Sequence, residues 1–123
     1  MADRPSHREL LGKILTARAK VSNRDWAVAD IAALLPEFEA LDLLTSEEQN
    51  TALESAFNEI APEHYAGHRP PQKSYEQVCA GAELFAFTWD SASFACQMYL
   101  KFCFVKDTLY IVSFHKSRTG GDD

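Results

Sequence analysis

The chain has 123 residues, 46% of them hydrophobic and 24% charged, the size and balance of one folded domain with enough chain for a real core. No apolar run approaches the roughly 20 residues that span a bilayer, and "MADRPSHREL" lacks the apolar segment of a secretory signal. A net charge of −6 speaks against a dedicated nucleic-acid binder, but the acidity is uneven: residues 1–62 hold eleven Asp/Glu against six Lys/Arg, and residues 63–123 hold seven against six.

In chain order, Ser6 and Glu9 fit the capping box Ser-x-x-Glu, and Leu10, Leu11, Ile14 and Leu15 follow at helical spacing. "KVSN" breaks that helix and offers Ser22 or Asn23 as the next N-cap. Trp26, Ile31, Leu34 and Leu35 then form a short apolar stripe that stops at Pro36, with "EFEALDLL" adding a turn or two. Thr45 and Glu48 make a second capping box before "SEEQNTALESAFNEI", where Leu53, Phe57 and Ile60 share a face and Pro62 marks the end. Residues 62–82 carry Gly67, Pro70, Pro71 and Gly81 and read as a connector with its own shape; a connector that long is often functional. Three strand-like stretches follow, "ELFAFTW", "FACQMYLKFCFV" and "TLYIVSFH", separated by Asp90 with Ser91 and Ser93 and by Lys106–Asp107. The expected architecture is a single α+β domain with N-terminal helices packed on a small C-terminal antiparallel β-sheet. Its parts are 1–61, mainly helical; 62–82, irregular; 83–116, the sheet; and 117–123, a flexible tail.

Cys79, Cys96 and Cys103 are odd in number and show no CxxC spacing, so neither a disulfide framework nor a zinc ribbon is expected, and a reducing cytoplasm is the natural setting. His64 and His68 stand four apart, but Gly67 and the following Arg-Pro-Pro make that segment a loop; no metal site and no cofactor is expected. Trp26 and Trp89 read as core anchors.

The stretch "MYLKFCFVKDTLYIVSFHKSR" carries the chemistry. Met98, Leu100, Phe102 and Phe104 alternate with Tyr99, Lys101 and Cys103, an apolar face against a polar one, and Leu109, Ile111, Ser113 and His115 alternate with Tyr110, Val112 and Phe114. A two-residue turn at Lys106–Asp107 pairs Tyr99 with Phe114 and sends His115 to the other face. A three-residue turn with a bulge, or any loop of odd length, sets Tyr99 opposite His115, and no Asn-Gly or Asp-Gly forces the tight form. In the second register Tyr99, Lys101 and His115 line one surface, with Lys116 and Arg118 at its edge. Those are the ingredients for cutting RNA without a metal: an imidazole that exchanges protons near neutrality, cations for the crowded phosphate, and a phenol that donates a hydrogen bond.

That hairpin resembles the last one of the MqsR-type toxins, bacterial messenger-RNA interferases with a RelE-like fold. The matching residues are Tyr99, Leu100 and Lys101, then Asp107, then Val112, Ser113 and Phe114, with "KSYE" upstream similar to the family's Lys-Ser pair. His115 stands where the family has a lysine after Ser-Phe, and the family's glutamine falls on Ala86 or is displaced to Gln77. The resemblance implies an endoribonuclease held in check by a cognate antitoxin protein, with RNA as substrate. Lys73, Tyr99 and His115 would then be its active-site groups, and Lys101, Lys116 and Arg118 its phosphate contacts. The competing expectation is a non-enzymatic immunity or antitoxin-like module whose acidic helices mask a basic protein. An enzyme of this kind should tolerate changes at Glu37, Glu39, Glu47 and Glu48, and a binding module should not.

Overall fold

The computed structural model describes residues 5–68, 71–74 and 77–117. Helix α1 spans His7–Ser22 and starts as its capping box dictates: Glu9 N–H donates to Ser6 Oγ at 3.1 Å, and Ser6 N–H donates to Glu9 Oε1 at 3.2 Å. A short strand, β1, occupies Trp26–Val28. Trp26 is therefore part of the sheet and not of a helical stripe. The next N-cap is Asp30, later than Ser22 or Asn23; its carboxylate accepts the Ala32 N–H at 3.1 Å and opens α2, Ile31–Ala40. Pro36 does not end this helix but lies inside it, exposed, forgoing one backbone bond near the middle of a ten-residue element. Helix α3, Ser46–Glu59, repeats the box with Thr45 and Glu48.

The strands β2 (Phe85–Ser91), β3 (Cys96–Val105) and β4 (Thr108–Lys116) form the expected antiparallel meander. β1 adds to it in parallel beside β4, Trp26 opposite Leu109, so the sheet is mixed with order β1-β4-β3-β2. The result is an α+β fold with helices first and the main strands after.

One face of the sheet carries the core. Leu10, Ile14, Ala17 and Val21 of α1 and Leu53, Ala56 and Phe57 of α3 close over Phe87, Leu100, Phe102 and Phe114, all buried. Phe102 is its hub, stacked on Phe87 at 5.8 Å and meeting Phe57 edge-on at 5.2 Å. Leu11 and Leu15, which share the helical spacing, face outward instead, 40% and 47% exposed. The connector folds back on the sheet: Tyr65 bridges Phe87, Lys73 bridges Glu83, and a 3-10 turn at Gln77–Cys79 packs on β3. Cys103, on the polar side of β3 by alternation, is buried all the same.

Candidate active site on the outer sheet face

The register of the last hairpin combines the two possibilities the sequence leaves open. The turn has two residues, Lys106 and Asp107, with Val105 opposite Thr108 and Lys106 at φ +56°. Pairing runs in step to Phe102–Ile111, slips by one residue, and resumes at Lys101–Ser113, leaving Val112 without a partner in the register. This is a β-bulge on β4. It reverses the alternation beyond it, so Phe114 joins Leu109 and Ile111 in the core instead of facing away from them, and His115 lands opposite Tyr99.

The consequence is a ring pair. Tyr99 and His115 stack with centroids 5.0 Å apart and planes 23° from parallel. His115 Nδ1 lies 2.7 Å from the Lys116 carbonyl, which can only accept, so Nδ1 carries the proton and Nε2 of the neutral ring keeps its lone pair. Burial, and after it the negative charge of Glu37, push the Tyr99 phenol above its ordinary value, so it stays a protonated donor at neutral pH. Lys101 lies two residues along β3 on the same face, between Ala86 and Ser113.

Glu37, grouped from the sequence with the acids that an enzyme should tolerate losing, lies beside the candidate site instead. β1 ends at Val28, so the outer edge of β4 is open from there on; α2 packs against β4 and its Glu37 carboxylate accepts the Phe114 N–H at 2.7 Å. One acid thus satisfies the strand edge next to His115 and places a charge near Tyr99. A contact between residues 77 apart leaves no local signature, and an acid on a helix reads as a solvated face.

Beside Tyr99, on the connector side, lies a pocket of about 270 Å³ lined by Ala66, Gly67, His68, Gln72, Leu84, Ala86, Tyr99 and Lys101. Gln72 goes unnoticed in the sequence, where the neighbouring Lys73 stands out, and His68 figures there only as half of a histidine pair set aside as a metal site. The remaining expected groups are placed less favourably. Lys73 is exposed, bridges Glu83 and does not line the pocket, although Gln72 next to it does. Lys116 pairs with Met98, a core residue, and so projects to the side of the sheet opposite His115. Gln77 sits in the 3-10 turn, whereas Ala86 forms part of the pocket wall. Arg118 and the expected tail fall outside the described residues. His64 is tied into its own turn, its Nδ1 accepting the Ala61 N–H at 2.9 Å, while His68 belongs to the pocket.

No protein-family model matches the sequence, and no curated protein and no solved structure matches it either.

Proposed function

We propose that the protein is a toxin-like endoribonuclease that cleaves RNA by attack of a ribose 2′-hydroxyl on the adjacent phosphate and is neutralised by a cognate antitoxin. The observation that carries this reading is the stacked Tyr99–His115 pair beside Lys101, assembled by a bulge the hairpin does not need merely to close. His115 Nε2 removes the 2′-hydroxyl proton, and the oxygen attacks phosphorus. The bond from phosphorus to the 5′-oxygen breaks, leaving a 2′,3′-cyclic phosphate; the departing 5′-oxygen takes a proton from water to become the 5′-hydroxyl, and His115 returns its proton to solvent. Lys101 offsets charge on the non-bridging oxygens, and the protonated Tyr99 phenol donates a hydrogen bond to them.

Two of the four acids that the acidic-module alternative offers to a basic partner are engaged by the fold: the Glu48 carboxylate caps α3 and Glu37 holds β4, whereas Glu47 pairs with Arg24 at 2.7 Å on the open surface. The experiment that tests the nuclease reading compares an RNA oligonucleotide with the same strand carrying 2′-deoxyribose at the cleaved position. Cleavage of the first to a cyclic phosphate, with the second intact, is the expected result. Cutting of both strands contradicts the mechanism.

A further inference from the structure

We infer that the pocket between the connector and β2–β3 is a nucleobase subsite that reads the base flanking the reacting phosphate, with Gln72 as its specificity-determining residue. The inference rests on the nuclease reading for its context and on the pocket itself for its substance. Tyr99 has two neighbours: the His115 ring from β4, and the pocket from β2 and the connector. A strand whose phosphate lies at Tyr99 and Lys101 therefore has a base-sized recess within one nucleotide's reach.

The recess is built, not incidental. Its outer wall is fastened by the Ala66 N–H donating to the Ala86 carbonyl at 2.8 Å, and its end by the Leu84 N–H donating to the Gln72 carbonyl at 2.8 Å. Tyr65 packs edge-on against Phe87 at 5.7 Å and its hydroxyl donates to the His68 carbonyl. Gly67 lies so close over that ring that a Cβ there would stand 2.7 Å from the Tyr65 hydroxyl oxygen. A larger residue there would force the Tyr65 ring to shift. On β2 the outward position Ala86, between the core residues Phe85 and Phe87, is small enough to leave the floor open. The opening therefore exists before any ligand arrives.

Size and chemistry narrow the occupant. At about 270 Å³ the pocket falls below the ~300–1,000 Å³ that holds drug-sized ligands, which suits one ring system and not a whole nucleotide. Leu84 and Ala86 are the apolar members of the lining, and Gln72 and His68 bring to it an amide and an imidazole, groups that can donate and accept hydrogen bonds. An amide that both donates and accepts suits the hydrogen-bonding edge of an unstacked base, the form in which single-stranded RNA is read.

The test is an NMR titration of the whole chain with each of the four nucleoside 5′-monophosphates, with inorganic phosphate as reference. The expected result is amide shifts at Gly67, His68, Leu84 and Ala86 that phosphate alone does not reproduce, and at least a tenfold spread in Kd among the bases. Gln72→Ala, at an exposed position, should reduce that spread to under threefold; Ala86→Leu should remove binding, provided its spectrum remains folded. Equal affinities for the four bases, shifts outside the pocket, or an unchanged spread in Gln72→Ala each overturn the inference. RNA cleavage measured on the same samples separates the two readings. Cleavage with base-indifferent binding removes the subsite alone, and base-selective binding without cleavage removes the nuclease alone.

Discussion

The Glu37 charge adds to burial in raising the Tyr99 phenol, and its share can be measured without any RNA. Burial first, and then the Glu37 charge, raise the phenol above its ordinary value of about 10. A raised acid binds its proton more tightly in the folded state. Its stabilising contribution is therefore complete below the unfolded value near 10 and is lost as pH rises through the folded value. Glu37→Gln removes the charge while leaving an oxygen for the Phe114 N–H. Ultraviolet titration of the phenol should show the Tyr99 transition moving down in this variant yet staying above that of a free tyrosine, because burial remains. Glu37→Ala should in addition lose about 1–3 kcal/mol in denaturant unfolding, since a strand-edge donor loses its acceptor. An unmoved Tyr99 transition in Glu37→Gln would show that the two groups are not coupled.

At the scale of elements, the carboxylate of Glu59, the last residue of α3, gathers the β2–β3 turn. It accepts from Trp89 Nε1 at 2.8 Å, Ser91 Oγ at 2.6 Å, and Ser93 N and Oγ at 2.9 and 2.7 Å. Burial pushes its pKa up, but the hydrogen bonds from Ser91, Trp89 and Ser93 outweigh that and bring it down to about 2. The sign is that of a depressed carboxylate: stability is fully present above the unfolded value near 4.5 and drains away as pH falls toward 2. The site is open enough to solvent that screening holds the contribution to about 1–2 kcal/mol. Chemical denaturation between pH 2 and 7 should show Glu59→Gln less stable than the wild type at pH 7 and nearly equal to it at pH 2. A gap that stays constant across that range would contradict this account.

The local elements are the ones a sequence can display. Ser6 with Glu9 and Thr45 with Glu48 carry both halves of their capping boxes within four residues, and both boxes form. The alternation in β3 is equally plain, with Met98, Leu100 and Phe102 buried and Tyr99 and Lys101 half-exposed. What escapes is whatever depends on distant chain. β1 is three residues long and exists as a strand because β4, some eighty residues later, lies alongside it. The bulge at Val112 has no glycine to announce it, and Phe114, a core residue, has the same side-chain parity as Val112 only until the bulge intervenes. The pocket wall depends on Tyr65 locking a loop that reads as mere punctuation.

For the whole molecule, the helices and strands divide the work. Helices α1 and α3 cover one face of the sheet, α2 holds the edge of β4, and the connector's 3-10 turn packs on β3, a strand in which Cys103 is buried and Tyr99 and Lys101 are half-exposed. Among the described residues no helix is long and apolar enough to cross a membrane. The acidity that argued against RNA is concentrated in residues 1–62, whereas the outer sheet face presents Lys101 with His68 and His115 nearby. Several of the acids moreover accept from backbone N–H groups or pair with a cation. Net charge is thus a poor guide to this face, because it sums groups that lie on other surfaces.

The most direct measurement is RNA cleavage in EDTA by the wild type, His115→Ala and Tyr99→Phe, each shown to be folded and free of bound partner protein. The account predicts cleavage by the wild type and a loss of about 10²–10⁴-fold in His115→Ala and about 10²–10³-fold in Tyr99→Phe, from removal of the base and of the phosphate donor. Intact RNA with folded wild type, or full activity in both variants, would contradict it.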